Sequence, residues 1–127
     1  IELLRHDLKA EKVAIITEAM EFTDTESSAF WPVYRKYDFD LSKLGDETVA
    51  IIKEYAANFE NMTDEKAKSL LDDYLAFEAE RLKLQRDYLP KFRKIIPEVK
   101  VTRYYQIENK IDAIIKFELA KRIPLMQ

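Results

Sequence analysis

Apolar residues recur at steps of three and four along almost the whole chain, and short polar turns interrupt the pattern. That spacing is the signature of amphipathic α-helices. A first helix is predicted over residues 2–21, with one apolar row at Leu4, Leu8, Ile15, Ala19 and Phe22 and a second at Val13, Ile16 and Met20. The stretch FTDTE at 22–26 ends it and starts the next. Thr23 can cap the new helix, and Glu26, three residues on, can complete a capping box. The second helix runs to about residue 60 on the stripe Phe30, Tyr34, Tyr37, Leu41, Leu44, Ile51, Tyr55, Phe59 and Met62, with a gap at Thr48. Gly45 lies inside it, and a bend or brief break is expected there.

Thr63 caps a third helix, and Asp64 and Glu65 suit its positive start. It runs to about Ile96 with two adjacent apolar rows: Leu70, Tyr74, Phe77, Leu84 and Tyr88, and Leu71, Leu75, Leu82, Leu89 and Phe92. A face this wide needs more cover than one thin hairpin supplies. Pro97 fits the first turn of a fourth helix. That helix is predicted over 98–122 with the stripe Val101, Tyr104, Ile107, Ile111, Ile114 and Ile115, and Pro124 stops it. The helix starts resemble one another: FTDTESSAFWPVYRKY (22–37) lies over MTDEKAKSLLDDYLAF (62–77), with IPEVKVTRYYQIE (96–108) on the same plan.

These elements make one all-α domain spanning residues 1–127, with four helices, two of them long. At about 1.5 Å per residue the long ones reach on the order of 50 Å. Pro32, about nine residues beyond the Thr23 cap, and Pro90 both fall inside the helical pattern, where a missing backbone donor bends a helix. The expected architecture is therefore an elongated, cradle-like helical hairpin or bundle with bent long helices.

Composition narrows the chemistry. The chain has 127 residues and no cysteine, which removes disulfides, thiolate catalysis and cysteine-bound metals together. His6 is the only histidine, so neither a histidine metal site nor a triad has its partners. With Gly45 the only glycine, no phosphate-binding loop can form. Asp72–Asp73 and Glu78 with Glu80 are read as solvated helix surface. No enzyme, cofactor or metal is expected, and no apolar run is long enough to span a membrane.

Charge changes the picture more. Residues 1–80 carry 9 Lys and Arg against 19 Asp and Glu, whereas residues 81–122 carry 12 against 5. Either the two halves neutralise each other within the fold, or the basic half steers acidic partners. In YLPKFRKIIPEVKVTRYY (88–105) basic residues interleave with aromatic rings, a mixture that suits single-stranded nucleic acid or unfolded polypeptide. The same pattern also fits rings turned into the core with the basic residues as its wet face, and the acidic total and the lack of a known nucleic-acid motif count against nucleic acid.

FWPVYRKY, the Thr-Asp helix starts at 23–24 and 63–64, and RDYLPKFRKIIPEVKVTRYYQIENK resemble the Spy/CpxP family of periplasmic proteins over roughly residues 10–120. The hallmark of that family is an LTxxQ-type motif at helix starts, which here reads FTDTE and MTDEK, without the glutamine. The resemblance implies a long-helix fold, often an antiparallel dimer, and export to the periplasm with removal of a signal segment ahead of Ile1. It also implies ATP-independent chaperone or envelope-stress roles. The expected function is thus non-enzymatic binding of unfolded or partly folded proteins by a homodimer. The expected contacts are Arg86, Lys91, Arg93, Lys94, Lys100 and Arg103, with Phe30, Trp31, Tyr34, Tyr104 and Tyr105 partly exposed. The alternative is a structural or regulatory module with one dedicated protein partner.

Overall fold

The computed structural model describes the backbone of residues 2–127 and the side chains of residues 11–127. It is all-α. The helices are α1 (Glu2–Met20), α2 (Asp24–Asn58), α3 (Asp64–Arg93) and α4 (Glu98–Arg122). No strand occurs among the described residues.

The local signals that start the helices act as chemistry requires. Thr23 N–H donates to Glu26 Oε1 at 2.9 Å, and Glu26 N–H donates to Thr23 Oγ1 at 3.2 Å. This reciprocal pair is a capping box. Lys66 N–H donates to Thr63 Oγ1 at 3.1 Å, so the second threonine caps α3 without the reciprocal bond, which the Lys66 side chain cannot accept. Pro97 is the N-cap of α4 in an extended conformation and makes no side-chain cap.

Context overrides three local expectations. Helix α2 runs through Gly45 without a break. Its cost of about 1 kcal/mol relative to alanine is offset by the neighbouring buried Leu44 and Val49. Helix α3 ends at Arg93, not near Ile96, which leaves Pro90 in its last turn. In α1 the buried row is Lys12, Ile16 and Met20, whereas Val13 and Ile15 stay exposed. The row with Ile15 and Ala19 is therefore not the packing face, and its members Leu4 and Leu8 lie outside the described side chains.

The chain forms two compact units. The first combines the segment up to Val33 with Leu89–Pro124. The second is Tyr34–Tyr88 with Leu125–Gln127. Pro32 and Pro90 each lie within two residues of the points where α2 and α3 pass from one unit to the other.

In the first unit α1 packs along α4. Ile16, Met20, Phe30, Phe92, Ile96, Val101 and Tyr104 make its core. A polar group sits at the edge of that core: Lys12 Nζ lies 2.9 Å from Glu108 Oε1, and Tyr104 donates its hydroxyl to the same oxygen at 2.9 Å. Lys12 is 6% exposed and Glu108 9%. Taking both charges out of water is costly, so the pair adds little net stability while complete. It does penalise any register of α1 on α4 that would leave either charge alone. In the second unit Tyr34, Tyr37, Leu44 and Val49 of α2 and Leu70 and Tyr88 of α3 form the core. Tyr37 and Tyr88 pack as tilted rings 4.9 Å apart.

Replacing Lys12 alone by Met strands Glu108. Urea denaturation should show a loss of about 3–5 kcal/mol. Combining Lys12→Met with Glu108→Leu and Tyr104→Phe should restore most of that loss. Equal losses in the single and combined variants would contradict a register role for the pair.

Candidate functional site

The first unit gathers the rings that the sequence singles out. Phe30 is tilted against Phe22 at 4.6 Å and Phe92 at 5.5 Å, and meets Trp31 and Tyr104 edge-on at 5.0 Å. Tyr105 meets Tyr104 edge-on at 5.8 Å. Phe30 and Tyr104 are both fully buried, and Tyr34 in the second unit is 3% exposed. The expectation that these three rings are partly exposed is therefore corrected: they are core, because each lies on the inward stripe of its helix. Trp31 lies beside that stripe and is half-buried, with its Nε1–H donating to Ser27 Oγ at 3.1 Å. Tyr105 is also half-buried.

The basic residues divide by what they touch. Helix α1 has no cation in its last turn, and Glu21, which follows it, adopts a left-handed φ of 51°. The cations come from α4. Lys100 Nζ donates to Glu21 O at 3.0 Å and to Glu26 Oε1 at 2.6 Å, and stands over the Phe22 ring at 5.8 Å. Arg103 Nη1 donates to the Ala19 and Met20 carbonyls, each at 3.3 Å. The negative end of the α1 dipole and its orphan carbonyls thus receive two positive charges. The hydrogen bond from Lys100, helped by the Thr23 N–H, holds the Glu26 carboxyl below its ordinary range. Arg93 forms a fork on Glu98, with Nε–Oε2 and Nη2–Oε1 both 3.0 Å. Lys91 is exposed. Arg86 and Lys94 are exposed and make no ion pair among the described residues. Arg86 and Tyr34 belong to the second unit and the other nine to the first.

The second unit holds a surface of another kind. Of the two apolar rows on α3, the one with Leu70 and Tyr88 turns inward. From the other, Leu71, Leu75 and Leu82, together with Tyr74, are between 47% and 58% exposed. These positions step by three, one and seven residues, so they share one side of the helix. An exposed apolar stripe of this length, interrupted by Glu78, is uncommon on a solvated helix. Glu54 and Lys66 close the other end of this unit with an ion pair of 2.5 Å.

Among the described residues no group of His, Cys, Asp or Glu could hold a metal ion. No helix among them is long and apolar enough to cross a membrane. No family model, curated protein or solved structure matches this chain.

Tyr88 donates its hydroxyl to Asp40 Oδ2 at 2.8 Å. Burial, reinforced by that hydrogen bond, pushes its phenol up to about 12. Burial likewise pushes Tyr105 up to about 12. Both raised values favour the neutral phenol in the folded state. Their contribution is complete below the ordinary phenol value of 10.0 and is lost as pH rises through about 12. Tyrosinate absorbance should show late-titrating groups, Tyr88 and Tyr105 among them, and resistance to urea should fall over the same interval. Tyr88→Phe should remove one late step. Titration of every tyrosine by pH 10 or so would contradict this.

Proposed function

We propose that this protein is a non-enzymatic, ATP-independent polypeptide-binding protein that holds unfolded or partly folded clients in the periplasm. The observation that carries the reading is the exposed stripe Leu71, Tyr74, Leu75 and Leu82 on α3. Three leucines and a ring offer adaptable contact to apolar segments of varied sequence. Neighbouring charges, such as the Lys68–Asp72 and Lys83–Asp87 pairs, keep the stripe soluble when empty. Periplasmic location and a part in envelope stress are supported by the resemblance of the helix starts and of the segment 86–110 to the Spy/CpxP family.

A second reading has its own support. Over residues 64–80, α3 carries six acidic and two basic side chains, and over residues 81–88 three basic and one acidic. A helix with an exposed apolar stripe, acidic at one end and basic at the other, complements itself when a second copy lies antiparallel across it. A two-fold axis near residue 78 would set the acidic half of each copy against the basic half of the other. In that case the stripe is a homodimer interface.

Light scattering of a chemically denatured client, without ATP, tests the first reading. Suppression of aggregation at several-fold molar excess is expected, with Leu75→Ser/Leu82→Ser abolishing most of it. No suppression with any of several clients overturns it. Sedimentation at micromolar concentration tests the second. A species of twice the 15.1 kDa chain mass that Leu75→Ser/Leu82→Ser dissociates assigns the stripe to a second copy, and a 15.1 kDa species leaves it open.

A further inference from the structure

A separate surface of the second unit lies on α2. Phe39 is 62% exposed, although the rings two and five residues before it, Tyr37 and Tyr34, are buried. It occupies a row with Arg35 and Lys43 at spacings of four, which stacks the three side chains along one side of the helix. Lys43 Nζ lies 4.6 Å from the centre of the ring. Lys36 flanks the row. Arg35, Lys36, Phe39, Asp40 and Tyr88 line a shallow, open depression of about 400 Å3.

The charges around this depression are unequal in availability. Asp40 accepts the Tyr88 hydroxyl and has Lys43 3.8 Å from its other oxygen, so its carboxylate is already engaged. Asp38, the other nearby acid, also has an interaction of its own. Arg35 and Lys36 are exposed and make no ion pair among the described residues. An apolar ring is therefore displayed one turn beyond two uncommitted cations, with a third over its face. Apart from the Lys43 ammonium over it, the ring stays open to solvent. A partner that matches must present carboxylates to Arg35 and Lys36 and an apolar side chain to Phe39.

We propose that this depression is a docking site for an acidic peptide segment carrying a large apolar side chain. The carboxylates engage Arg35 and Lys36, and the apolar side chain lies on Phe39 against the fixed Tyr88–Asp40 wall. The wall is preorganised, because Tyr88 is buried and its hydroxyl is held, so little ordering is needed on binding. The site shares no residue with the α3 stripe. It can thus exist whether or not that stripe binds clients or a second copy.

Fluorescence anisotropy with a short dye-labelled peptide, alternating Asp or Glu with Leu and Phe, tests the proposal. The full chain should bind it, and should bind two controls far more weakly: one with Lys in place of the acids, one with Ser in place of Leu and Phe. Arg35→Ala/Lys36→Ala should weaken binding about tenfold and flatten its salt dependence. Phe39→Ala should weaken it about fivefold. All three residues are exposed, and helical circular dichroism should be unchanged. Leu75→Ser/Leu82→Ser should leave the affinity intact even if it removes client holding. Equal binding of the Lys peptide, absence of binding, or unchanged affinity in Phe39→Ala would each overturn the proposal. A change in sedimenting mass on Phe39→Ala would assign the patch to a second copy instead, and would overturn it as well.

Discussion

Phe30 is where the first unit comes together. Its ring touches Phe22 before α2, Trp31 within α2, Phe92 of α3 and Tyr104 of α4. A side chain of this size, fully buried, supplies about 1.5–3 kcal/mol by removal from water alone. Its tilted and edge-on contacts add to that, since each favourable ring pair is worth about 0.5–1.5 kcal/mol. Three helices meet at one ring because each delivers an aromatic residue to the same height. The capping box fixes where α2 begins, and therefore where Phe30 sits, seven residues after Thr23. Thr63 and Leu70 repeat this spacing in α3, and Leu70 is also buried. The cap acts at a distance: it sets the phase of the helix, and the phase decides which side chains face the core.

The polar contacts of the first unit serve the same end. Helix α1 brings only Ile16 and Met20 as fully buried apolar residues among its described side chains. Its attachment to α4 is completed by groups that read position as well as polarity. Lys100 and Arg103 find the carbonyls at the α1 C-terminus, and Lys12 finds Glu108 about two turns earlier. Lys100 and Arg103 reach back to the first 26 residues, whereas Lys83, Arg93, Lys116, Lys121 and Arg122 pair with acids of their own half of the chain. Of the six cations expected on an open surface, Lys100 and Arg103 hold α1, and Arg93 is forked onto Glu98.

What could be read in advance follows from the range of each signal. Caps, helix count and helix boundaries depend on neighbours three or four residues away, and these were legible to within a few residues. The all-helical fold followed from them. The burial of Lys12 was not legible, because a lysine at that position goes inward only when another helix offers a carboxylate and a tyrosine at matching height. Continuity through Gly45 was hidden for a similar reason: tertiary packing, absent from any local window, outweighs a propensity of about 1 kcal/mol. Among the rings, Phe30 and Tyr34 had the periodicity of core positions, and their spacing was the better guide to burial than their kinship with the exposed-looking Trp31. Phe39 carried a visible signal that was missed. It is two residues from Tyr37, hence about 200° around the helix from a core position.

The two rows on α3 show how a sequence can specify a surface as well as a core. A two-helix layer covers one side of each helix, which is one row of apolar residues. Helix α3 in the second unit carries two, and α2 covers only the row of Leu70 and Tyr88. The surplus row is not scattered. It keeps the helical phase from Leu71 to Leu82, with ion pairs at i, i+4 on its flanks rather than across it. Random apolar residues on a solvated face would not hold a phase over three turns. Selection for folding alone would favour replacing them by polar residues, since an exposed leucine contributes nothing to this chain's own core. The width of the apolar pattern, more than any single residue, is thus what sets α3 apart within the second unit.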